Sequence, residues 1–326
     1  MISVIMLHHR GDLVHSALAS INKSKGVQFE TIVVTSVPGL KADATRVVCY
    51  NAGPAQKRNV GLRYANGKYI AFFDDDVEVD STALMEMLKV LKQDGIGMVF
   101  GKLLNMEHPE VFDEAGSYLT WNGFLWAKGD RMVDTGQFEK AEPILAGKSA
   151  SCMIKRRIFV DVGMFDPSFE ILGEESDLAW RVWLNGHKVY YVPRSVTLHA
   201  FNTKFKTVDF YTHRRVYFNG SKNYISMLAG NLETKNLVRF LVPHIALWLT
   251  CSLAMLLRGR FHESSLIFEG VCYAIKNWHI IRIKREKVRS LRRVSDKELF
   301  RSIRRNPGLK YYLDRFFRYT RSSVHG

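Results

Sequence analysis

The sequence has few cysteines and few prolines, and it contains neither an internal repeat nor a low-complexity segment. Its four cysteines lie far apart without a Cys-x-x-Cys pair, at Cys49, Cys152, Cys251 and Cys272. This spacing argues against a disulfide framework and a zinc site, and favours reduced thiols in a cytosolic compartment. Eight prolines and 23 glycines among 326 residues exclude a collagen-like fibre. Hydrophobic residues make up 47% of the chain, which excludes a disordered chain and predicts a globular core.

Acidic residues are scarce near the C-terminal end. The chain has 47 Lys and Arg against 32 Asp and Glu, a net charge of +15. Residues 276–326 hold 16 of the basic and 4 of the acidic residues, so +12 of the net charge lies there. Such a basic segment favours an anionic partner, either nucleic acid or an anionic lipid surface.

Short apolar segments alternate with helical patterns over the first hundred residues. Strands are predicted at Ile2–Leu7, Glu30–Thr35 and Lys68–Phe73, and helices at Leu13–Ile21, Ala55–Ala65 and Thr82–Leu91. This order predicts an α/β fold with a mainly parallel sheet flanked by helices, in a domain that we place at residues 1–206. No cleavable signal sequence is expected, because the first predicted strand begins at Ile2. Ligands of such sheets bind at the carboxyl ends of the strands.

Residues 207–326 have a different character and predict a helical, basic, membrane-associating region. Residues 240–257 form an apolar run of 18 residues without a formal charge. A bilayer span needs about 20 apolar residues, so the pattern leaves open whether this segment spans the membrane or lies in it. Two basic amphipathic patterns follow, at Ser295–Arg305 and Leu309–Tyr319, and are typical of in-plane membrane helices. The side chains expected to contact lipid are Phe240, Leu241, Trp248, Leu256, Phe316 and Phe317.

Three consecutive carboxylates, Asp74, Asp75 and Asp76, end the apolar segment Lys68–Phe73. Their mutual repulsion would be offset by a divalent cation, and oxygen ligands suit Mg²⁺ or Mn²⁺. Because side chains alternate along a strand, Asp74 and Asp76 are expected to face one site while Asp75 faces away. The alternative interpretation is a solvated turn before the next helix.

Three further segments carry candidate functional groups. Glu174, Glu175 and Asp177 precede a predicted helix, where carboxylates either stabilise the helix N-terminus or provide a general base. His199 ends a strand-like run and is either structural or a metal ligand. The segment Tyr50–Gly61 places Lys57, Arg58 and Asn59 on the first turn of a helix. That position suits a diphosphate, although basic residues on a helix are usually just solvated.

In order and spacing, these segments resemble glycosyltransferase family 2, which has the GT-A fold. The resemblance covers about residues 1–205 and rests on the segments N-x-G-x-x-x-x-x-N-x-G from Asn51, YIAFFDDD, AGKSASCMIKRR, VGMFDPSF, GEESDLAWR and the late His199. Residues 210–300 are similar to the membrane-associating tail of the rhamnosyltransferase-like branch. In place of the acidic pair that commonly follows the family's second strand, this sequence has Thr35-Ser36-Val37.

The resemblance implies a role for each candidate residue. Asp76 and His199 would hold the metal, and Glu175 or its neighbour Glu174 would be the catalytic base, with Asp177 beside them. Nucleotide-sugar contacts are implied for His8, Arg10, Asn51, Lys57, Asn59, Asp74, Asp75 and Arg181. The acceptor side is implied for Gly147, Ser151 and Cys152.

The implied activity is an inverting, Mn²⁺- or Mg²⁺-dependent sugar transfer from a nucleotide-diphosphate donor, such as dTDP-rhamnose or a UDP-sugar. The acceptor would be lipid-linked or a polysaccharide, at the cytoplasmic face of the cell membrane with its anionic lipid. Two other classes remain open on the residues alone, namely a nucleic-acid- or lipid-binding protein without catalysis and a nucleotidyltransferase. The apolar run at 240–257 argues against nucleic acid as the partner. A nucleotidyltransferase would need a glycine-rich first loop, and residues 8–12 contain one glycine.

Overall fold

A computed structural model describes residues 1–9, 11–200 and 214–321. By internal contacts the chain divides into two compact units. The first comprises residues 1–118, 127–168 and 174–203, and the second comprises residues 119–126, 169–173 and 204–326. Residues 119–126, 169–173 and 204–206 of the predicted 1–206 domain therefore belong to the second unit, while the functional division of the chain remains a prediction.

The first unit is built on a mixed sheet whose strands run in the order β10-β12-β6-β11-β4-β1-β2-β3, with β5 paired to β12 and β7 paired to β6. A separate two-stranded sheet joins β8 and β9. The strands are β1 (Ile2–His8), β2 (Phe29–Thr35), β3 (Arg46–Cys49), β4 (Tyr69–Asp74), β5 (Val77–Val79), β6 (Ile96–Asn105), β7 (Phe112–Glu114), β8 (Ser117–Leu119), β9 (Leu125–Ala127), β10 (Glu142–Pro143), β11 (Ser151–Lys155) and β12 (Lys188–His199).

Four neighbouring strands, β3, β2, β1 and β4, are parallel, and β12 is parallel to β6. The strand β11 runs antiparallel between β4 and β6. The prediction of an α/β fold with a mainly parallel sheet is confirmed. In this register His8 pairs with Thr35, and Leu7 pairs with Asp74, so the carboxyl ends of β1, β2 and β4 meet at one edge.

The helices of the first unit are α1 (Leu13–Ile21), α2 (Pro54–Leu62), α3 (Ala83–Leu91), α4 (Arg156–Asp161) and α5 (Glu174–Leu184). Gly61 lets α2 lie directly on β1, because a Cβ at that position would stand 2.5 Å from the Cγ2 atom of Ile5. The sequence around Pro193 predicts two short strands, Lys188–Val192 and Ser195–Leu198, whereas the structure has the single strand β12. Its register against β6 shifts between Val192 and Val196, which accommodates the proline within one strand.

The second unit is helical, and its helices pack around apolar side chains such as Ile225, Trp248 and Ile267. It contains a π-helical turn (Arg214–Asn219) and the helices α6 (Gly220–Asn231), α7 (Thr234–Leu256), α8 (Phe261–Lys276), α9 (Trp278–Leu291), α10 (Asp296–Ile303) and α11 (Leu309–Arg321). Ser295 and Glu298 have the spacing of a capping box in the sequence, and the Ser295 side chain accepts a hydrogen bond from the Glu298 amide at the start of α10. The sequence predicts a Tyr-rich helix at Phe210–Ala229, and its first residues, 210–213, lie outside the described residues.

Two of the residues expected to contact lipid are instead core residues of the second unit. Phe240 is fully buried, and its ring lies 5.4 Å from that of Phe300. Trp248 is also buried, and its indole Nε1 donates to His244 Nε2 at 2.9 Å. The prediction that these two side chains face lipid is therefore wrong, because every fourth residue of α7 faces the core of the unit. The sequence of this helix is apolar on all sides, so its pattern could not show which face is buried.

Candidate active site

The acidic residues after β4 lie at the carboxyl edge of the sheet. Asp74 is the last residue of β4, and Asp75 and Asp76 form the turn into β5. Because β5 pairs with the end of β12, with Val77 opposite His199, the turn lies beside the imidazole. The Ala200 amide donates to the Asp76 carbonyl at 2.9 Å and fixes this arrangement.

Asp74, Asp76 and His199 form a group in which one ligand atom of each lies within 4.8 Å of the others. The Nε2 atom of His199 lies 3.4 Å from Asp76 Oδ1. Two carboxylates and an imidazole offer oxygen and nitrogen donors, which suit Mg²⁺ or Mn²⁺. The structure therefore brings together the two residues that the sequence assigned to a metal, with Asp74 beside them.

Asp75 faces away from this group, as the alternation of side chains predicts. Its Oδ2 accepts from the backbone amide of His9 at 3.3 Å and lies 4.0 Å from His8 Nε2. Burial, followed by the charges of Asp76 and Asp74, raises the pKa of Asp75 to about 7. Three carboxylates in one turn thus repel each other strongly in the absence of a cation.

Arg58 joins the metal-ligand candidates to the acidic start of α5. Its Nη2 lies 3.1 Å from Asp74 Oδ1, and its Nη1 lies 2.7 Å from Glu174 Oε1. Arg58 is 2% exposed, and the two carboxylates raise its pKa despite burial, so the guanidinium stays charged. The sequence predicts Arg58 on the first turn of a helix and does not indicate a place for it in the site. Its partners are 16 and 116 residues away in the chain, and nothing in the local pattern indicated them.

Glu175 differs from its neighbour Glu174. Glu174 is buried and bound by Arg58, whereas Glu175 is half-buried. Burial, followed by the charge of Glu174, raises the pKa of Glu175 well above its usual range. A carboxylate with a raised pKa has the property that a general base requires near neutral pH.

Asp177 and Arg181 lie together on the buried side of α5. Arg181 Nε is 3.0 Å from Asp177 Oδ2, and Arg181 also donates to the Val162 carbonyl. Asp177 is 0% and Arg181 5% exposed. The structure therefore pairs Arg181, a candidate for nucleotide-sugar contacts, with Asp177 on the same helix.

The remaining candidates for nucleotide contacts occupy varied environments. Lys57 donates to the His8 carbonyl at 2.9 Å, and burial lowers its pKa. His8 is buried, with Nδ1 2.8 Å from Thr35 Oγ1. Asn59 uses both atoms of its amide on the backbone of Phe165, at 2.8 and 3.1 Å, which holds α2 in place. Asn51 is exposed ahead of α2, and Arg10 lies outside the described residues.

The candidates for the acceptor side lie inside the sheet. Ser151 and Cys152 are 0% exposed, and Ser151 Oγ is 2.9 Å from Thr197 Oγ1. A Cβ at Gly147 would stand 2.8 Å from the ring of Phe100. These three residues therefore support the strand packing and are not surfaces that an acceptor contacts.

Asp113 is a residue that the sequence analysis missed. It belongs to β7, it is buried, and its Oδ2 lies 2.8 Å from His199 Nδ1. Lys148 forms an ion pair with its other oxygen. A single Asp in the irregular region 97–170 gave no sequence signal, because only the pairing of β7 and β12 with β6 brings it to His199.

The family model described as "Glycosyltransferase like family 2" matches residues 35–245, more than half of the chain. The chain belongs to this family. Its fold is that of the GT-A glycosyltransferases, as the resemblance implied.

Among curated proteins, the chain is similar to the probable N-acetylgalactosaminyltransferase 8 of Caenorhabditis elegans, with 26% identity over 164 residues, 48% of this chain and 39% of that protein. It is also similar to the O-antigen biosynthesis protein RfbC of Myxococcus xanthus, with 26% identity over 148 residues, 43% of this chain and 12% of that protein. The chain thus spans well under half the length of either relative.

Two solved structures share the fold. The match to the crystal structure of GalNAc-T7 with UDP, GalNAc and Mn²⁺ covers 70% of this chain and 50% of the GalNAc-T7 chain, with a TM-score of 0.53 and 17% sequence identity. The structure of S. aureus TarS 1–349 in complex with UDP-GlcNAc covers 89% of this chain and 90% of that one, with a TM-score of 0.53 at 15% identity. At these identities the similarity establishes the fold alone.

Proposed function

We propose that this chain is a metal-dependent, inverting glycosyltransferase that moves a sugar from a nucleotide-diphosphate donor to an acceptor hydroxyl. The observation that carries the proposal is the meeting of Asp74, Asp76 and His199 at the carboxyl edge of the sheet, where this architecture binds ligands. Family membership supports the same reaction class.

The divalent cation would be held by Asp76 and His199, with Asp74 beside them. Their mixed oxygen and nitrogen donors fit either Mn²⁺ or Mg²⁺. When bound, the cation would neutralise charge on the diphosphate as it leaves. Arg58 is a buried cation of this region, and it pairs with Asp74 and Glu174.

Glu175 is the proposed general base. Arg58 pairs with Glu174, and Arg181 pairs with the buried Asp177. Burial and the charge of Glu174 raise the pKa of Glu175. In the proposed reaction Glu175 accepts the acceptor's hydroxyl proton as that oxygen attacks the anomeric carbon. Attack from the face opposite the departing diphosphate inverts the anomeric configuration.

The proposed donor is a nucleotide-diphosphate sugar, either a UDP-sugar or dTDP-rhamnose. GalNAc-T7 and TarS, which share the fold, were solved with UDP and with UDP-GlcNAc. The proposed acceptor is a lipid-linked or polysaccharide glycan, in keeping with the O-antigen relative. Membership in the rhamnosyltransferase-like branch remains a prediction.

We further infer that the helical unit attaches to an anionic membrane surface from the cytoplasmic side. Among the described residues, one helix, α7, is long and apolar enough to cross a membrane. Its most apolar stretch of 18 residues has a mean hydropathy of 1.6, and 22% of the residues in that stretch are buried. One face of α7 is packed in the core of its unit, and the opposite face exposes Val242 and Leu253. A helix with one packed and one exposed apolar face favours in-plane attachment over a lone span.

Donor hydrolysis and binding across a panel of nucleotide sugars test the proposal. The full chain is assayed with Mn²⁺, with Mg²⁺ and with EDTA, with membrane lipids supplied. One donor is expected to be bound or hydrolysed only when a divalent cation is present. Turnover that persists in EDTA would contradict the metal site.

Asp76→Ala should abolish turnover while the thermal unfolding midpoint stays near that of the wild type, since the Asp76 side chain is 30% exposed. Glu78→Ala is the matched control, because it removes an exposed carboxylate two residues away. Wild-type turnover in Asp76→Ala would remove this residue from the metal site.

A further inference from the structure

The proposed metal ligand His199 is held from behind by a buried carboxylate. Asp113 Oδ2 lies 2.8 Å from His199 Nδ1, while the opposite ring nitrogen, Nε2, lies 3.4 Å from Asp76 Oδ1. Asp113 is 9% and His199 6% exposed. The imidazole therefore lies between two carboxylates, one inside the protein and one at the site edge.

The chemistry of Asp113 decides which nitrogen of His199 carries the hydrogen. An ionised carboxylate only accepts hydrogen bonds, so Nδ1 must be the donor toward it. In the neutral ring this leaves the Nε2 lone pair directed to Asp76 and available to a cation. Without Asp113 the ring would be free to rotate and to place its hydrogen on Nε2.

Lys148 in turn holds Asp113. It forms an ion pair with Oδ1 of Asp113, while Oδ2 faces His199. Both carboxylate oxygens of Asp113 are thus engaged by different donors, which fixes the plane of the carboxylate. Lys148 follows Gly147 in the segment between β10 and β11.

We propose that Asp113 is a positioning residue that sets the tautomer and orientation of His199 for cation binding, and that Lys148 fixes Asp113 in that role. This inference rests on the proposed function, because it assigns His199 to the metal. Carboxylates placed behind metal-binding histidines commonly act in this way, and their loss typically weakens metal affinity by about 10–100-fold.

The decisive variant is Asp113→Asn, which preserves the shape of the side chain. An amide has one oxygen and one NH₂ group, so only one of the two donors that surround it keeps an acceptor. Lys148 can only donate and retains the oxygen. The NH₂ group then faces His199 Nδ1, which must become the acceptor, and the hydrogen moves to Nε2 where it blocks the cation.

Mn²⁺ affinity of the full chain is measured by isothermal titration calorimetry and by electron paramagnetic resonance of free Mn²⁺, at constant neutral pH and without donor. Asp113→Asn is expected to weaken Mn²⁺ binding by about 10–100-fold. His199→Ala gives the Mn²⁺ affinity that remains when the imidazole is absent. The double variant Asp113→Asn/Lys148→Met should recover part of the loss, because the amide oxygen is then free to turn to Nδ1. Asp134→Asn is the matched control, since it removes another carboxylate that is ion-paired with a lysine, Lys102, and does not contact His199.

The outcomes separate this inference from the proposed function. If the wild type binds no Mn²⁺ even when UDP is supplied, the proposed metal site itself fails. If the wild type binds Mn²⁺ and Asp113→Asn binds it equally well, the positioning role of Asp113 is overturned and the proposed function stands. Equal affinities of the single and double variants would overturn the tautomer argument. Thermal unfolding of each variant shows that the comparison is made on folded protein.

Discussion

Glu174 and Glu175 are adjacent in the chain but lie in different electrostatic environments. Arg58 binds Glu174 through a contact of 2.7 Å. Glu175 is half-buried beside that negative charge and holds its proton to a higher pH than usual. A buried acid whose pKa is raised beside a charged neighbour is a common sign of a catalytic acid or base.

Glu175→Gln is expected to lower turnover by about 10²–10⁴-fold, the usual contribution of a general base, while donor binding is preserved. The acidic limb of the wild-type rate profile should fall above the ordinary glutamate pKa of 4.5, because Glu175 must lose its proton to act. Steady-state kinetics over a pH series, together with calorimetric donor binding, check both parts.

The same substitution should raise stability at neutral pH. The pKa of Glu175 is higher in the folded than in the unfolded chain, so the wild type loses stability as pH rises from 4.5 toward the folded value. The amide introduced by Glu175→Gln does not ionise, so the variant should have the higher unfolding midpoint at neutral pH. This difference in midpoint should disappear below pH 4.5, where Glu175 is protonated in both states.

Glu174→Gln is the control and should instead destabilise the fold, because Arg58 loses a buried partner. If Glu174→Gln lost turnover without losing stability while Glu175→Gln stayed active, Glu174 would be the general base in place of Glu175.

At the residue scale, the sequence identified groups whose local pattern is unusual. The run Asp74-Asp75-Asp76 after an apolar strand predicted a cation site, and the structure places Asp74 and Asp76 together with His199. Arg58 and Asp113 were not assigned to the site, because their importance comes from partners far away in the chain. A charge that is paired only in the folded protein looks like any solvated charge in the sequence.

At the scale of elements, periodicity predicted the strands and helices whose burial is uniform. The helix at Leu13–Ile21 was predicted with its observed bounds, and β4 follows from an apolar run with a polar end. The antiparallel insertion of β11 was not predicted, since a buried strand has the same apolar pattern in either direction. The inward face of α7 could not be predicted either, because both of its faces are apolar.

The exposed face of α7 makes a prediction about membrane contact. Val242 and Leu253 are 60% and 54% exposed on a face opposite the buried Trp248. A double substitution, Val242→Glu with Leu253→Glu, should reduce binding to anionic vesicles by at least about tenfold, because buried charges in lipid are costly. Co-sedimentation with vesicles measures this, and the unfolding midpoint should change little.

Val160→Glu is the matched control for that experiment. Val160 is 51% exposed on α4 of the first unit, and a charge there should leave vesicle binding unchanged. Wild-type binding by the α7 double variant would exclude this face as the attachment surface.

At the scale of the whole molecule, charge is distributed unevenly. Residues 276–326 carry a net charge of +12 out of +15, and most of these residues form α9 to α11 and their connections. Many of the cations are exposed, including Arg289, Arg301 and Lys310. By contrast, the acidic Asp296 is buried and ion-paired with Arg292. The helical unit therefore presents a largely positive surface.

The concentration of positive charge in residues 276–326 predicts how binding to vesicles responds to salt and to the removal of basic side chains. Each basic residue near an anionic surface contributes about 1 kcal/mol at moderate ionic strength. The triple variant Arg289→Gln/Arg301→Gln/Lys310→Gln should therefore bind anionic vesicles about 10²-fold more weakly than the wild type. Its binding to neutral vesicles should equal that of the wild type. Raising the salt concentration should lower the affinity of the wild type for anionic vesicles toward that of the variant, since exposed charges are screened. Because these side chains are exposed, donor hydrolysis should be unchanged, which separates attachment from catalysis. Equal binding of both proteins to anionic vesicles at low salt would show that apolar contact alone attaches the chain.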